Sequence, residues 1–248
     1  MNGHPLLEAR AVTVRFGGLV AVDAVSAAFA PGELVGIIGP NGAGKTTFFN
    51  ALSGVVEVSS GELFAQGRRL TGASPHRYAH HGIARTFQTP RVFAELSVAA
   101  NIDFGLQFAG RKRDASWLLK DEASILHLIG LAAQAGLPAG AITPSQQRLL
   151  EIGMALATRP RLLLLDEVAA GLTEGEVDQM AQLIRRLRDE LDLTVIWIEH
   201  AVTTLLNYVE RVIVLHQGRK IADGTPAEVV RHAEVVDAYL GDEMVEAP

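Results

Sequence analysis

Three short, almost unbroken apolar runs set the frame: Glu33–Gly39 (ELVGIIG), Arg161–Asp166 (RLLLLD) and Leu193–Ile198 (LTVIWI). A strand with one face in water alternates apolar and polar residues. A strand with no alternation has both faces covered, as in a parallel sheet flanked by helices. Between the second and third runs, Val177, Met180, Ile184, Leu187 and Leu191 recur at spacings of three and four, the apolar stripe of a crossover helix. A helix near Ala201–Val209 and a strand at Arg211–His216 repeat the pattern. Strand–helix alternation of this kind predicts an α/β fold.

The middle of the chain differs. From about Ser97 to Arg159 no strand-like run occurs, and Asn101–Phe108, Ala123–Leu131 and Pro144–Thr158 carry helical patterns. A helical subdomain over residues 89–158 is therefore expected to interrupt an α/β core made of 1–88 and 159–241, with 242–248 as a tail. Ala11–Arg15 and Ala24–Ala30 look β-like and predict a small antiparallel β flank.

Composition narrows the function. The 248 residues hold no Cys, which excludes a disulfide framework, thiolate-held metal and a cysteine nucleophile. With 22 basic and 28 acidic residues the net charge is −6, against the basic face of a nucleic-acid-binding domain. The longest span without Asp, Glu, Lys or Arg, Ala123–Gln147, contains three Gly, two Pro and a His, so it does not read as a membrane helix. No secretory signal pattern opens the sequence, and a cytoplasmic protein is expected.

Directly after the first run comes Gly39-Pro40-Asn41-Gly42-Ala43-Gly44-Lys45-Thr46, followed by Thr47 and a helical pattern. This is G-x-x-x-x-G-K-[ST] in the strand-to-helix setting its mechanism needs. Glycines let backbone N–H groups curl around phosphate oxygens, and the helix N-terminus adds partial positive charge. Lys45 would reach the β/γ-phosphates and the Thr46 hydroxyl would bind Mg²⁺. The second run ends in Asp166-Glu167. Asp166 would hold Mg²⁺ beside the loop, and Glu167 would orient or deprotonate the attacking water. Either feature alone has an ordinary alternative, a Gly-rich turn or a strand ending in acids. Together they imply nucleotide hydrolysis.

With these residues in hand, the chain resembles the ATP-binding subunit of ABC transporters along essentially its whole length, and more closely the branched-chain amino-acid importer branch. The stretches that carry the likeness are FGGLVAV, IGPNGAGKTTFFNALSG, GIARTFQ, LLEIGMALATRPRLLLLDE, ADGTPAEVV and DAYLG. The resemblance implies a P-loop ATPase core and a set of further site residues. Phe16 matches the aromatic that stacks on adenine, although by propensity it is as readily a core residue. Gln88 matches the loop glutamine that contacts Mg²⁺ or water and relays motion to membrane subunits. His200 matches the switch histidine at the γ-phosphate, and Ala170–Thr173 match the D-loop. The cofactors implied are ATP and Mg²⁺. The partners implied are a second ATPase subunit (identical or related), transmembrane permease subunits and, indirectly, a solute-binding protein, at the cytoplasmic face of the membrane. The alternatives left open are a nucleotide-gated dimerisation subunit with weak hydrolysis, and a soluble ABC ATPase outside transport.

One departure bears on the site. The family's LSGGQ-type signature, which acts on nucleotide held by the other subunit, corresponds here to Ile142-Thr143-Pro144-Ser145-Gln146. Thr143 keeps a hydroxyl, Ser145 replaces the second glycine and Gln146 is retained. The segment still reads as a helix start, with Thr143 as N-cap, Pro144 at the first helical position and Gln146 closing a capping box. Val168 and Ala201 stand where Pro and Asp are usual, and Gln88–Ile142 is short for the branch. His76 and His80 have zinc-pair spacing without a third ligand. Arg111-Lys112-Arg113 reads as a solvated turn.

Overall fold

The computed structural model describes residues 4–108, 118–119, 121–199 and 202–245. The chain begins with β1 (Leu7–Phe16), β2 (Leu19–Phe29) and β3 (Leu34–Ile38), then α1 (Lys45–Leu52), β4 (Ser60–Ala65), β5 (Arg68–Arg69), α2 (Pro75–His80) and β6 (Ile83–Arg85). Three helices follow: α3 (Val98–Phe108), α4 (Glu122–Leu128) and α5 (Pro144–Ala157). The remainder is β7 (Leu162–Asp166), α6 (Glu174–Leu191), β8 (Thr194–Ile198), α7 (Val202–Leu206), β9 (Arg211–His216), β10 (Arg219–Gly224), α8 (Pro226–Val229) and α9 (Ala233–Val245).

Two sheets form. The six-stranded sheet has the order β10-β9-β3-β8-β7-β6, with β9, β3, β8, β7 and β6 parallel and β10 antiparallel at the edge. The other sheet, β2-β1-β4-β5, is antiparallel. The expected flank is therefore larger than its first two strands. Ser60–Ala65 and Arg68–Arg69 join it from beyond α1, a non-local pairing that no local pattern announces.

The unbroken apolarity of the core strands has a direct cause in packing. Leu34, Leu163, Leu165, Val195, Trp197, Val212 and Val214 point into one hydrophobic cluster, which takes in Ile102, Ile125, Ile152 and Ile184 from the helices. Their alternate neighbours Val35, Ile37, Leu162, Leu164, Ile196, Ile198, Ile213 and Leu215 point into a second cluster with Phe48, Phe49 and the flank residues Val12, Val22 and Leu63. Side chains alternate across a strand. With a core on each face, every position must be apolar. The α6 stripe behaves as its spacing predicts, burying Met180, Ile184 and Leu187. Truncating one such Leu to Ala costs about 2–5 kcal/mol.

This topology gathers the chemistry at one edge. β3, β8, β7 and β6 are neighbours running the same way, so the segments leaving their C-terminal ends emerge together. In open parallel sheets, ligands bind beyond those ends. Among the described residues, no helix is long and apolar enough to cross a membrane.

Candidate active site

The loop from Gly39 to Gly44 leaves β3 and delivers its N–H groups to the start of α1. Its geometry requires glycine at both ends. Gly39 has φ +153°, and a Cβ there would lie 2.0 Å from the Leu215 carbonyl oxygen. Gly44, the N-cap of α1, has φ +94°, and its Cβ would meet the Ala21 carbonyl oxygen at 2.4 Å. Gly218 N–H donates to the Ala43 carbonyl at 3.0 Å, bracing the loop from the β9–β10 turn. The loop and the end of β1 line a cleft of roughly 560 Å³ that includes Phe16, Asn41, Gly42, Ala43, Gly44, Lys45, Thr46, Thr47 and Gln217. Phe16 is 51% exposed, so it is not a core residue but an aromatic face at the rim of that cleft.

Lys45 is 5% exposed, and its ammonium donates to the carbonyls of Gly39 (2.6 Å) and Pro40 (2.9 Å). Burial lowers its pKa, against the pull of the Glu167 carboxylate.

Asp166 closes β7 at 3% exposure, and Arg85 Nη2 reaches its Oδ2 at 3.1 Å. Arg85 also donates to Asn50 Oδ1 (2.7 Å) and Ser53 Oγ (2.9 Å), tying β6 and β7 to α1. The hydroxyl of Thr86 accepts the Asp166 N–H at 3.2 Å. Glu167 follows with φ +50°, a left-handed conformation that is uncommon for a residue with a side chain. Its N–H donates to the Ile198 carbonyl at 3.0 Å, and the residue is 5% exposed. Gln88 Nε2 donates to Glu167 Oε2 at 2.6 Å. Thr46 hydroxyl, Asp166 carboxylate and Gln88 amide offer hard oxygen donors of the kind Mg²⁺ prefers. Among the described residues, no group of three or more His, Asp or Glu could hold a metal, and His76 and His80 gain no third partner.

The segment Thr143–Gln146 starts α5 as its residues predict. Thr143 Oγ1 accepts the Gln146 N–H at 3.3 Å, and Gln146 Oε1 accepts the Thr143 N–H at 3.0 Å. Ser145 Oγ lies 3.0 Å from Thr143 Oγ1. His200, Ala201 and Arg111–Arg113 lie outside the described residues.

Four residues around the site escaped the sequence reading. Besides Arg85, Arg148 Nη1 donates to the Glu167 carbonyl at 2.8 Å. Glu151 accepts the N–H groups of Phe87 (3.2 Å) and Arg91 (3.0 Å), and burial pushes its carboxyl up to about 7. Glu199 accepts from Ala169 N–H (2.7 Å) and Trp197 Nε1 (3.0 Å), pinning the segment after Glu167; burial raises its pKa as well. A detectable signal existed for one. Glu151 is the sole charged residue in the apolar stretch Leu149–Ala157, three positions from Arg148 and hence on the same helical face.

A G-x-x-x-x-G-K-T loop after β3, an Asp-Glu pair at the end of β7 and Gln88 after β6, all leaving the same end of one parallel sheet, mark a P-loop nucleotide-binding ATPase fold. Comparison with known proteins sharpens that class. Residues 22–170 match the family model for ABC transporters, and residues 219–245 match the model named branched-chain amino acid ATP-binding cassette transporter. The chain is 38% identical to the high-affinity branched-chain amino acid transport ATP-binding protein BraF of Pseudomonas aeruginosa, covering 96% of this chain and 99% of that one. It is 37% identical to LivG of Escherichia coli, described in the same terms, over the same shares of the two chains. Among solved structures, the ADP conformation of MJ1267, an ATP-binding cassette of an ABC transporter, matches with TM-score 0.83 at 29% identity, covering 95% of this chain and 98% of that one. The chain belongs to the ABC transporter ATP-binding family.

Proposed function

We propose that this chain hydrolyses Mg·ATP as one subunit of an ATPase dimer that drives import of branched-chain amino acids, or a similar small polar solute, through permease subunits at the cytoplasmic face of the membrane. The observation that carries the reading is the short contact between Gln88 and Glu167, whose carboxylate acts electrostatically on Lys45 of the Gly39–Thr47 segment. It couples the carboxylate suited to activating water to a loop suited to sensing a partner. The relatives' printed names supply the solute class.

In this reading, the Gly39–Gly44 amides and Lys45 bind the phosphates, and Phe16 stacks on the base. Thr46, Asp166 and Gln88 would hold Mg²⁺, which when bound neutralises charge on the transferring phosphoryl group. Glu167 orients and deprotonates water, and His200 holds it in line with the γ-phosphate. Thr143, Ser145 and Gln146 present the start of α5 to nucleotide on the second subunit. Residues 89–158 move as the unit that meets the permease, and a solute-binding protein confers specificity from the other side. The core of 1–88 and 159–241 holds the nucleotide.

Ser145 favours a second reading, in which the chain binds nucleotide and dimerises while its partner does most of the hydrolysis. Turnover measured across chain concentrations, with Glu167→Gln as blank, separates the two. Specific activity that rises with concentration and vanishes in the variant supports a working homodimer. Binding of Mg·ATP with turnover flat at the blank level supports a chain that needs a different partner.

A further inference from the structure

Helix α5 reaches both sides of the Gln88–Glu167 contact, through the Glu167 carbonyl and through two amides that flank Gln88. At its start lies the Thr143–Gln146 segment. Just over a turn on, Arg148 donates to the Glu167 main-chain carbonyl at 2.8 Å. One turn further, the Glu151 carboxylate bridges the two flanks of the glutamine loop. Its Oε2 accepts the Phe87 N–H at 3.2 Å and its Oε1 accepts the Arg91 N–H at 3.0 Å. Gln88 sits between those two amides.

The surroundings make this bridge the grip on the loop. Glu151 is 6% exposed, so it trades water for those amide donors, and the bonds become charge-assisted, among the stronger kind, once the carboxyl ionises above about pH 7. The Phe87 ring meets two guanidinium groups, Arg85 at 4.5 Å and Arg91 at 4.1 Å from its ring centre. Phe87, Arg91 and Glu151 also line a cavity of roughly 340 Å³, which gives the loop room to shift.

We infer that Glu151 is a positioning residue: it fixes Gln88 relative to Glu167, so that the Gln88–Glu167 contact follows the position of α5. Together with Arg148, it makes α5 a rigid rod from the segment facing the second subunit's nucleotide to this chain's own water-activating carboxylate. This inference rests on the function proposed above for its consequence, but the contact itself can be tested without hydrolysis.

The first arm is amide hydrogen exchange on the full chain without nucleotide, comparing wild type with Glu151→Ala and the nearly isosteric Glu151→Gln. At pH 8, where the carboxyl is ionised, loss of one charge-assisted bond should speed exchange at Phe87 and Arg91 about tenfold or more, with Glu151→Gln intermediate and the β3 and β8 amides unchanged. Unchanged exchange at Phe87 and Arg91, or acceleration spread through the core sheet, overturns the inference. The second arm is turnover. Glu151→Ala should lower kcat about tenfold while KM for ATP stays within about twofold, and the Gln88→Ala/Glu151→Ala double variant should match Gln88→Ala alone, as coupled residues do. Losses that multiply in the double variant, or a KM that rises in step, overturn it. A wild-type chain that binds Mg·ATP without turning it over counts against self-sufficient hydrolysis and leaves the exchange arm to decide.

Discussion

The side-chain amide of Gln88 donates to the carboxylate of Glu167 across 2.6 Å, joining two residues that lie 79 positions apart in the chain. Parallel pairing of β6 and β7 makes this possible, because Ala84 lies opposite Leu163 and Arg85 opposite Leu164, so the two strand ends emerge side by side. The contact engages the carboxylate proposed to activate water, which leads to the first prediction. Glu167→Gln keeps the shape and an acceptor but loses the base, so turnover should fall by about 100-fold or more, within the range contributed by a positioned general base. Equilibrium binding of Mg·ATP should stay within about twofold, since no phosphate contact changes.

Lys45 tests the other half of the site. Its ammonium is satisfied by the carbonyls of Gly39 and Pro40, and burial already lowers its pKa. A γ-phosphate offers a charged acceptor in their place. Lys45→Ala should weaken ATP binding about 10–100-fold, the worth of hydrogen bonds to a charged group. Isothermal titration would show it, with ADP less affected than ATP.

Much of this was legible from residues in order along the chain. The core strands, the phosphate loop and the Asp166–Glu167 pair are local features, and local patterns report them. The pairing of Ser60–Ala65 with β1 was not legible, because two strands, a loop and a helix separate them along the chain. Nor was the Arg85–Asp166 ion pair, 81 positions apart, since which charges meet depends on strand order. Phe16 shows the same limit from the other side. Its aromatic ring fits a core or a rim equally well until the end of β1 is placed over the cleft.

Asp166 is buried and Arg85 nearly so, and the Arg85 side chain has further partners in Asn50 and Ser53. Removing one member of a buried pair leaves a charge without its compensation, which costs about 3–5 kcal/mol. Arg85→Ala should therefore lower unfolding stability by that order, read from guanidinium denaturation at constant slope. Arg85→Lys should recover only part, because a single ammonium cannot serve Asn50, Ser53 and Asp166 together.

Glu151 gives stability a pH dependence of defined sign. Its carboxyl titrates at about 7 in the fold against an ordinary value of 4.5, raised by burial and opposed by the amides of Arg91 and Phe87 and by Arg85 and Arg91. Between those values the native chain holds a proton that the unfolded chain has released. The contribution is therefore full below pH 4.5 and is lost as pH rises through about 7. The loss amounts to about 3 kcal/mol at 1.36 kcal/mol per unit. Denaturation curves at pH 5 and pH 8 should differ more for wild type than for Glu151→Gln, which carries no titrating group there. Equal differences in the two proteins would remove Glu151 as the source.

Ser145 remains the departure with the plainest consequence. It lies in the first turn of α5, where Thr143 and Gln146 already close the capping box without it. Its hydroxyl turns to Thr143, 3.0 Å away, and to Glu176, whose pKa is lowered in part by that contact. A glycine would leave the cap intact and clear the approach to the helix N-terminus, where anions are attracted. The cost is helix propensity, at most about 1 kcal/mol and less so close to the N-terminus. Ser145→Gly should thus raise turnover several-fold, on the order of 1 kcal/mol of barrier, with unfolding stability nearly unchanged. In a heterodimer the gain should appear at the site built on the partner's phosphate loop. Mixing the variant with a partner whose own loop Lys has been removed should then abolish the gain. A Ser145→Gly chain no faster than wild type in either setting would show that the hydroxymethyl group fits against the nucleotide without penalty.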